Sequence, residues 1–247
     1  MTRIHLVFAL GLVGCSSSTT TLGEGTMTTP LEAPRLASAL DTQVAKWSAE
    51  GLPSTLNDGR RKNFEEIAQW LATRLKGGAT ADLIFVCTHN SRRSHMSQLW
   101  AQAAALSQGL DIKTYSAGTE TTAFNPRAVK ALKTHGFQID ESNEVLDGGN
   151  IVYDVDFGEG HPTLKNFSKK ISDPSNPTVD FGAVMVCSSA DKSCPFVPGA
   201  DLRVAVPYID PKLSDGTEQE TATYLAKSEE IGREMVWLMN RVTELLP

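Results

Sequence analysis

The sequence predicts an α/β domain built on a parallel sheet. Three observations lead there. Leu83-Ile84-Phe85-Val86, Val184-Met185-Val186 and Val204-Ala205-Val206 are short, uninterrupted apolar runs, the pattern of strands buried on both faces. Between and around them, apolar residues recur at helical spacing. Strands alternating with helices assemble into parallel sheets. The 247 residues are 40% hydrophobic and 21% charged, which excludes a mainly disordered, collagen-like or polytopic membrane chain. Lys+Arg is 23 and Asp+Glu is 29, a formal charge of −6 with no basic run. Such a chain is a poor candidate for bulk nucleic-acid binding, and any anion must be met by a local site. Four cysteines, Cys15, Cys87, Cys187 and Cys194, are too few for a disulfide-built scaffold.

Residues 1–15, MTRIHLVFALGLVGC, begin with a positive Arg3 and continue with an apolar run. That run is too short for a spanning helix, which needs roughly 20 residues, and fits a signal-peptide core. Leu12-Val13-Gly14-Cys15 resembles the bacterial lipobox, which makes Cys15 a lipidation site. The expected location is the cell envelope, lipid-anchored on the periplasmic side, or the cytoplasm if the segment is not a signal peptide. Residues 16–30 are polar and of low complexity, as a flexible tether is.

Residues 31–79 read as a helical extension packed on a domain edge, with helical patterns over 31–50 and 63–76. Phe64, Ile67, Leu71 and Leu75 share one face, and Gly77-Gly78 ends the second helix. The main domain occupies 80–247. After the strand at 83–86 and a polar loop comes a helix through Met96, Leu99, Trp100, Ala103 and Leu106. Ile112 to Tyr115 is a second strand. Asn125-Pro126 opens a helix with Pro at its first position, and Gly136 closes it. Residues 147–181, rich in turn formers, read as a surface excursion. The last helix, about 217–246, carries Ile231, Met235, Leu238, Val242 and Leu245 on one stripe.

The segment that carries chemistry is Cys87-Thr88-His89-Asn90-Ser91-Arg92-Arg93-Ser94, between a buried strand and a helix. A loop at such a junction turns successive amides toward a tetrahedral oxyanion, and the helix N-terminus adds roughly half a positive charge. Thr88, His89, Asn90, Ser91, Arg92 and Arg93 are the candidate oxyanion-binding residues. Arg93 can grip two oxygens as a fork. The field that holds an anion also favours a thiolate at Cys87; thiols so placed have pKa values of about 3.5–7.5. Ser94 can donate to that sulfur.

Cys-x5-Arg-Ser in this setting resembles the low-molecular-weight protein tyrosine phosphatase superfamily, which includes the thioredoxin-coupled arsenate reductases. Tyr115-Ser116-Ala117-Gly118 and Phe124-Asn125-Pro126 are similar to the family's second strand and the segment after it. Val206-Pro207-Tyr208-Ile209-Asp210-Pro211 is similar to its acid loop. The resemblance covers roughly residues 80–247. It implies a three-layer, doubly wound, flavodoxin-like sheet of the phosphotyrosine phosphatase I type. It makes Cys87 the nucleophile and Asp210 the general acid. Asp215, without a following Pro, reads as a helix-entry residue, and His95 and Trp100 as packing or surface residues. Gln98 stands where reductases of this kind often have Glu.

Cys187 and Cys194 lie seven residues apart after a strand, and Pro195 follows. This is similar to the resolving-cysteine segment of those reductases. It implies a relay in which Cys87, Cys187 and Cys194 reduce arsenate to arsenite and a thioredoxin-like dithiol restores them. No metal or cofactor is expected. The other reading of the same pair is a structural or regulatory disulfide. Three function classes follow. The first is arsenate reductase. The second is phosphomonoester (protein tyrosine) phosphatase through phosphocysteine. The third is an oxyanion-binding lipoprotein without catalysis. The expected partners are the oxyanion substrate, the dithiol reductant and a membrane reached through the lipid anchor, with no nucleic acid.

Overall fold

The structure, a computed structural model, describes residues 34–247. Cys15 and the tether lie outside the described residues. Four strands form the central sheet: β1 (Ala81–Cys87), β2 (Ile112–Gly118), β6 (Phe181–Met185) and β7 (Ala200–Ala205), in the order β2-β1-β6-β7. All three pairings are parallel. The chain steps one way from β1 to β2 and the other way from β6 to β7, which is the doubly wound, flavodoxin-like arrangement. A ligand site is expected outside the C-terminal strand ends, where the direction reverses.

The helices are α1 (Ser38–Glu50), α2 (Asp58–Lys76), α3 (Arg93–Ser107), α4 (Pro126–Thr134), α5 (Ser188–Ser193) and α6 (Glu220–Leu245). Right-handed crossovers place α3 and α5 on opposite sheet faces, because their connections run in opposite senses. Helix α6 packs on α1, α2, α3 and α4. Gly232 of α6 meets the indoles of Trp47 and Trp100; a Cβ there would lie 2.3 Å from Trp47. That contact accounts for a glycine inside a helix, a choice that costs about 1 kcal/mol of propensity. The first two helices therefore join the core: Leu40, Val44, Trp47, Phe64, Ile67 and Leu71 are buried in it.

Residues 147–181 are not a mere surface excursion. With the stretch before them they form a second, antiparallel sheet: β3 (Gln138–Leu146), β4 (Asn150–Asp156) and β5 (Leu164–Asn166), in the order β3-β4-β5. The chain after β5 then runs back to the central sheet, where Lys170 bridges Gly118.

Candidate active site

β1 ends at Cys87 and α3 begins at Arg93, so the loop between them lies at the switch point. Its hydrogen bonds are sorted by chemical type. Every carbonyl from Cys87 to Arg93 accepts a bond from outside the loop or from α3. Thr119 N donates to Cys87 O, Glu120 N to Thr88 O, Asn125 N to Ser91 O and Met96 N to Arg92 O. Thr122 Oγ1 and Ser168 Oγ donate to His89 O, His95 Nε2 to Asn90 O and Ser97 Oγ to Arg93 O. Among the described residues, the amides of Thr88 through Arg93 donate to no protein group. Polar backbone groups inside proteins are almost always paired. Six successive unpaired amides are therefore a surface for an anion.

Asn90 makes the loop turn. Its φ is +41°, a left-handed conformation that Asn tolerates better than most residues. Its side chain locks the turn, with Nδ2 donating to Ser94 Oγ at 2.8 Å and Oδ1 accepting from Lys169 N at 2.7 Å. Ser94 Oγ lies 3.1 Å from Cys87 Sγ. Asn90 occupies a lone pair of that oxygen, so the hydroxyl proton is free to point at the sulfur, as a thiolate needs.

Arg93 is oriented by the far side of the site. Nη1 donates to Tyr208 O at 2.9 Å and Nη2 to Asp210 Oδ2 at 2.7 Å. Its buried Nε has no partner among the described residues, which leaves that N–H for a ligand. Asp210 opens the 3-10 turn Pro211–Ser214, and Lys212 N donates to its Oδ1. Asp210, 117 residues on in the sequence, is thus brought against the loop's Arg93. The charge of Arg92 is paired. Its guanidinium runs to Tyr224 Oη at 2.7 Å and Asp215 Oδ2 at 3.4 Å. Asp215 is not a helix-entry residue; it also accepts from Tyr224 Oη and precedes α6 by five residues. Burial and that bond push the Tyr224 hydroxyl up to about 12. The share of Arg92 in the cradle is its amide. Ser91 Oγ is likewise spent on Ala123 O, and His89 stands half exposed near Glu120.

The two remaining thiols bracket α5. Cys187 is buried at its N-cap, accepting from Ala190 N at 3.3 Å and lying 3.5 Å from Thr88 Oγ1. Cys194, partly exposed, is at its C-cap. The three described cysteines are free. Seven residues of helix span about 10 Å, beyond disulfide reach, so no Cys187–Cys194 bond exists in this state.

A family model for low molecular weight phosphotyrosine protein phosphatase matches residues 82–147. The arsenate reductase of Bacillus subtilis (strain 168) is 29% identical over 154 residues, 62% of this chain and 91% of that one. The arsenate reductase of Staphylococcus aureus (strain Newman) is 32% identical over 116 residues, 47% of this chain and 67% of that one. A low-molecular-weight phosphotyrosine phosphatase from Vibrio cholerae superposes with a TM-score of 0.46 at 16% identity, covering 66% of this chain and 97% of that one. The chain belongs to the low-molecular-weight phosphotyrosine protein phosphatase family. Like its relatives, this family member is a cysteine-based enzyme of oxyanion chemistry.

Sequence reasoning missed the groups behind the cradle. In the sequence Gly118 reads only as part of a strand. A Cβ on it would lie 2.7 Å from Asn90 N and 2.8 Å from Thr88 O, so the loop requires glycine there. Ser168 and Lys169, on the chain after β5, hold His89 and Asn90 through bonds spanning 79 residues. Asn166 donates to Gln98 Oε1, while Gln98 Nε2 donates to Thr114 O. Burial lowers Lys169 to about 8; its ammonium lies over the Phe167 ring. His95 is buried and stacked on Phe124 at 4.1 Å. Burial first, then the Lys169 charge, lower it to about 3. His95 is a neutral strut of the loop, not an acid or base.

Proposed function

We propose that the protein reduces arsenate to arsenite with three of its own thiols. The observation that carries this reading is the placement of Cys187, buried against the Cys87 loop on the neighbouring strand end, with Cys194 one short helix away. Arsenate occupies the amides of the cradle, and Arg93 binds it through Nε. Cys87 Sγ attacks arsenic, and Asp210 supplies the proton on which an oxygen departs as water. Cys187 Sγ then attacks Cys87 Sγ. The As–S bonding pair passes to arsenic, arsenite leaves, and a Cys87–Cys187 disulfide remains. Two thiols are oxidised as As(V) becomes As(III). Cys194 attacks Cys187, releases Cys87 and forms Cys187–Cys194, which an external dithiol protein reduces. This last exchange requires α5 to unwind.

Phosphomonoester hydrolysis uses the same Cys87, Arg93 and Asp210. The surroundings of the loop offer little to wall a phenyl ring: His89, Ser91, Thr122, Asn125, Pro126 and Lys212 line the adjoining cleft, with no Phe, Tyr or Trp among its lining residues. Leu213, beside Asp210-Pro211, is 83% exposed. The test is Cys187→Ser. Arsenate turnover falls to background, while p-nitrophenyl phosphate hydrolysis stays within about twofold. A mass map of thiols after arsenate shows Cys87–Cys187 in a Cys194→Ser variant. Equal survival of both activities in Cys187→Ser would remove the relay. We also propose that lipidated Cys15 tethers the enzyme in the cell envelope. Cys15→Ser should move the protein from the membrane fraction to the soluble one, and an unchanged distribution argues against the anchor.

A further inference from the structure

Helix α2 lies outside the stretch matched by the family model, yet its side chains grip the segment that carries Asp210. As the chain leaves β7, four successive carbonyls are each taken by a side chain. Asn63 Nδ2 donates to Ala205 O at 2.9 Å, and Arg60 Nη2 to Val206 O at 3.5 Å. Arg60 Nη1 donates to Pro207 O at 3.0 Å, and Arg93 Nη1 to Tyr208 O at 2.9 Å. On the opposite edge, Val206 N and Tyr208 N donate to Met185 O and Val186 O of the neighbouring β6 chain. The segment is therefore held from both sides up to two residues before Asp210.

Arg60 is itself fixed. Nε and Nη2 donate to the two oxygens of Glu234 at 2.9 and 2.7 Å. Glu234 is fully buried and also accepts from Tyr208 Oη at 2.7 Å. The guanidinium carbon stands 4.5 Å from the Tyr208 ring centroid. One planar fork thus joins a buried carboxylate, an aromatic face and two carbonyls, a geometry that an ammonium cannot reproduce.

We propose that Arg60 is a positioning residue for the reaction. Through the backbone of residues 206–208 it sets where Asp210 stands beside Arg93. The helical extension is then part of the catalytic apparatus and not only an edge of the core. The inference rests on the oxyanion-enzyme reading for its kinetic readout, and on geometry for its structural one.

The test is Arg60→Lys, which keeps a cation beside Glu234 and loses the fork. Two esters are compared: phenyl phosphate, which needs a proton at its leaving oxygen, and p-nitrophenyl phosphate, which needs it far less. The expected result is a kcat about tenfold lower for phenyl phosphate and a much smaller loss for p-nitrophenyl phosphate. KM and inhibition by inorganic phosphate stay near wild type. Adding Arg60→Lys to Asp210→Asn should cost little more, since both act on one step. Amides of Val206, Tyr208, Ile209 and Asp210 should exchange hydrogen faster in Arg60→Lys. Equal loss on the two esters, no loss on either, or unchanged exchange overturns the proposal. A wild-type protein inactive on arsenate and on both esters would instead fail the functional reading, while the exchange measurement still decides the role of Arg60.

Discussion

The loop at Cys87 and the helix between Cys187 and Cys194 sit side by side at the strand ends and are built on opposite principles. The loop has its carbonyls tied from α3, from the chain after β2 and from the chain after β5, with its amides left over. Its shape is settled before an anion arrives, and preorganised donors of this kind are what oxyanion chemistry needs. Helix α5 is six residues long, and helices so short have little stability of their own. Apart from contacts to β1 and β6 it is held by Arg203, whose Nη2 reaches Asp191 O and Oδ1 at 2.7 and 2.6 Å and whose Nε reaches Cys194 O at 2.8 Å. A preorganised site thus adjoins a weakly held segment, the one the proposed relay requires to unwind.

The comparison breaks most sharply at Gly118. A methyl group there lands 2.3 Å from Glu120 O and 2.7 Å from Asn90 N. Both are backbone, so neither yields cheaply. Gly118→Ala is expected to lower stability by about 1–3 kcal/mol and arsenate and ester turnover alike by about 10²-fold. Turnover near wild type would mean that the cradle tolerates a shift and is not the rigid member of the pair.

Arg203→Ala tests the other member. The Arg203–Asp191 pair is partly exposed and worth at most about 1 kcal/mol, so the fold survives. Alkylation of Cys194 should rise a few-fold as α5 opens more often, with p-nitrophenyl phosphate hydrolysis unchanged. Unaltered Cys194 reactivity would show that strand packing, and not Arg203, holds the helix.

The same contrast explains what the sequence disclosed. Local signals found β1, the loop, α4 and the position of Asp210 after β7, because apolar runs, an Asn-Pro helix start and an Asp-Pro turn are written within a few residues. β3 carries no strand signal of its own, because QIDESNEVL is largely exposed and lacks the alternation of a half-buried strand. The partners of the Arg92 side chain, Asp215 and Tyr224, lie more than a hundred residues away, so no local signal discloses them. Ser168 and Lys169 carried no signal at all. Their bonds to the loop span 79 residues, and an isolated Ser or Lys near a turn reads as surface.

A further expected effect concerns the strut beneath the loop. His95 Nε2 faces Asn90 O at 2.8 Å, and a carbonyl only accepts, so Nε2 carries the proton and Nδ1 receives one from Ser116 Oγ at 3.1 Å. Both ring nitrogens serve the neutral form. Burial lowers the group from 6.5 to about 3 in the folded protein. Below pH 6.5 the unfolded chain takes up a proton that the fold refuses, so stability is complete above that value and is lost as pH falls toward about 3. The slope from one such group is at most about 1.4 kcal/mol per pH unit, or roughly 2–3 kcal/mol between pH 6.5 and 4.5. The measurement is the urea midpoint of the wild type and of His95→Gln at pH 7 and 4.5. His95→Gln should start lower and fall less, because Gln keeps a donor for Asn90 O without a titrating ring. Parallel declines in the two proteins would show that carboxylates elsewhere govern acid unfolding. They would also show that the support of the loop is indifferent to the proton on His95.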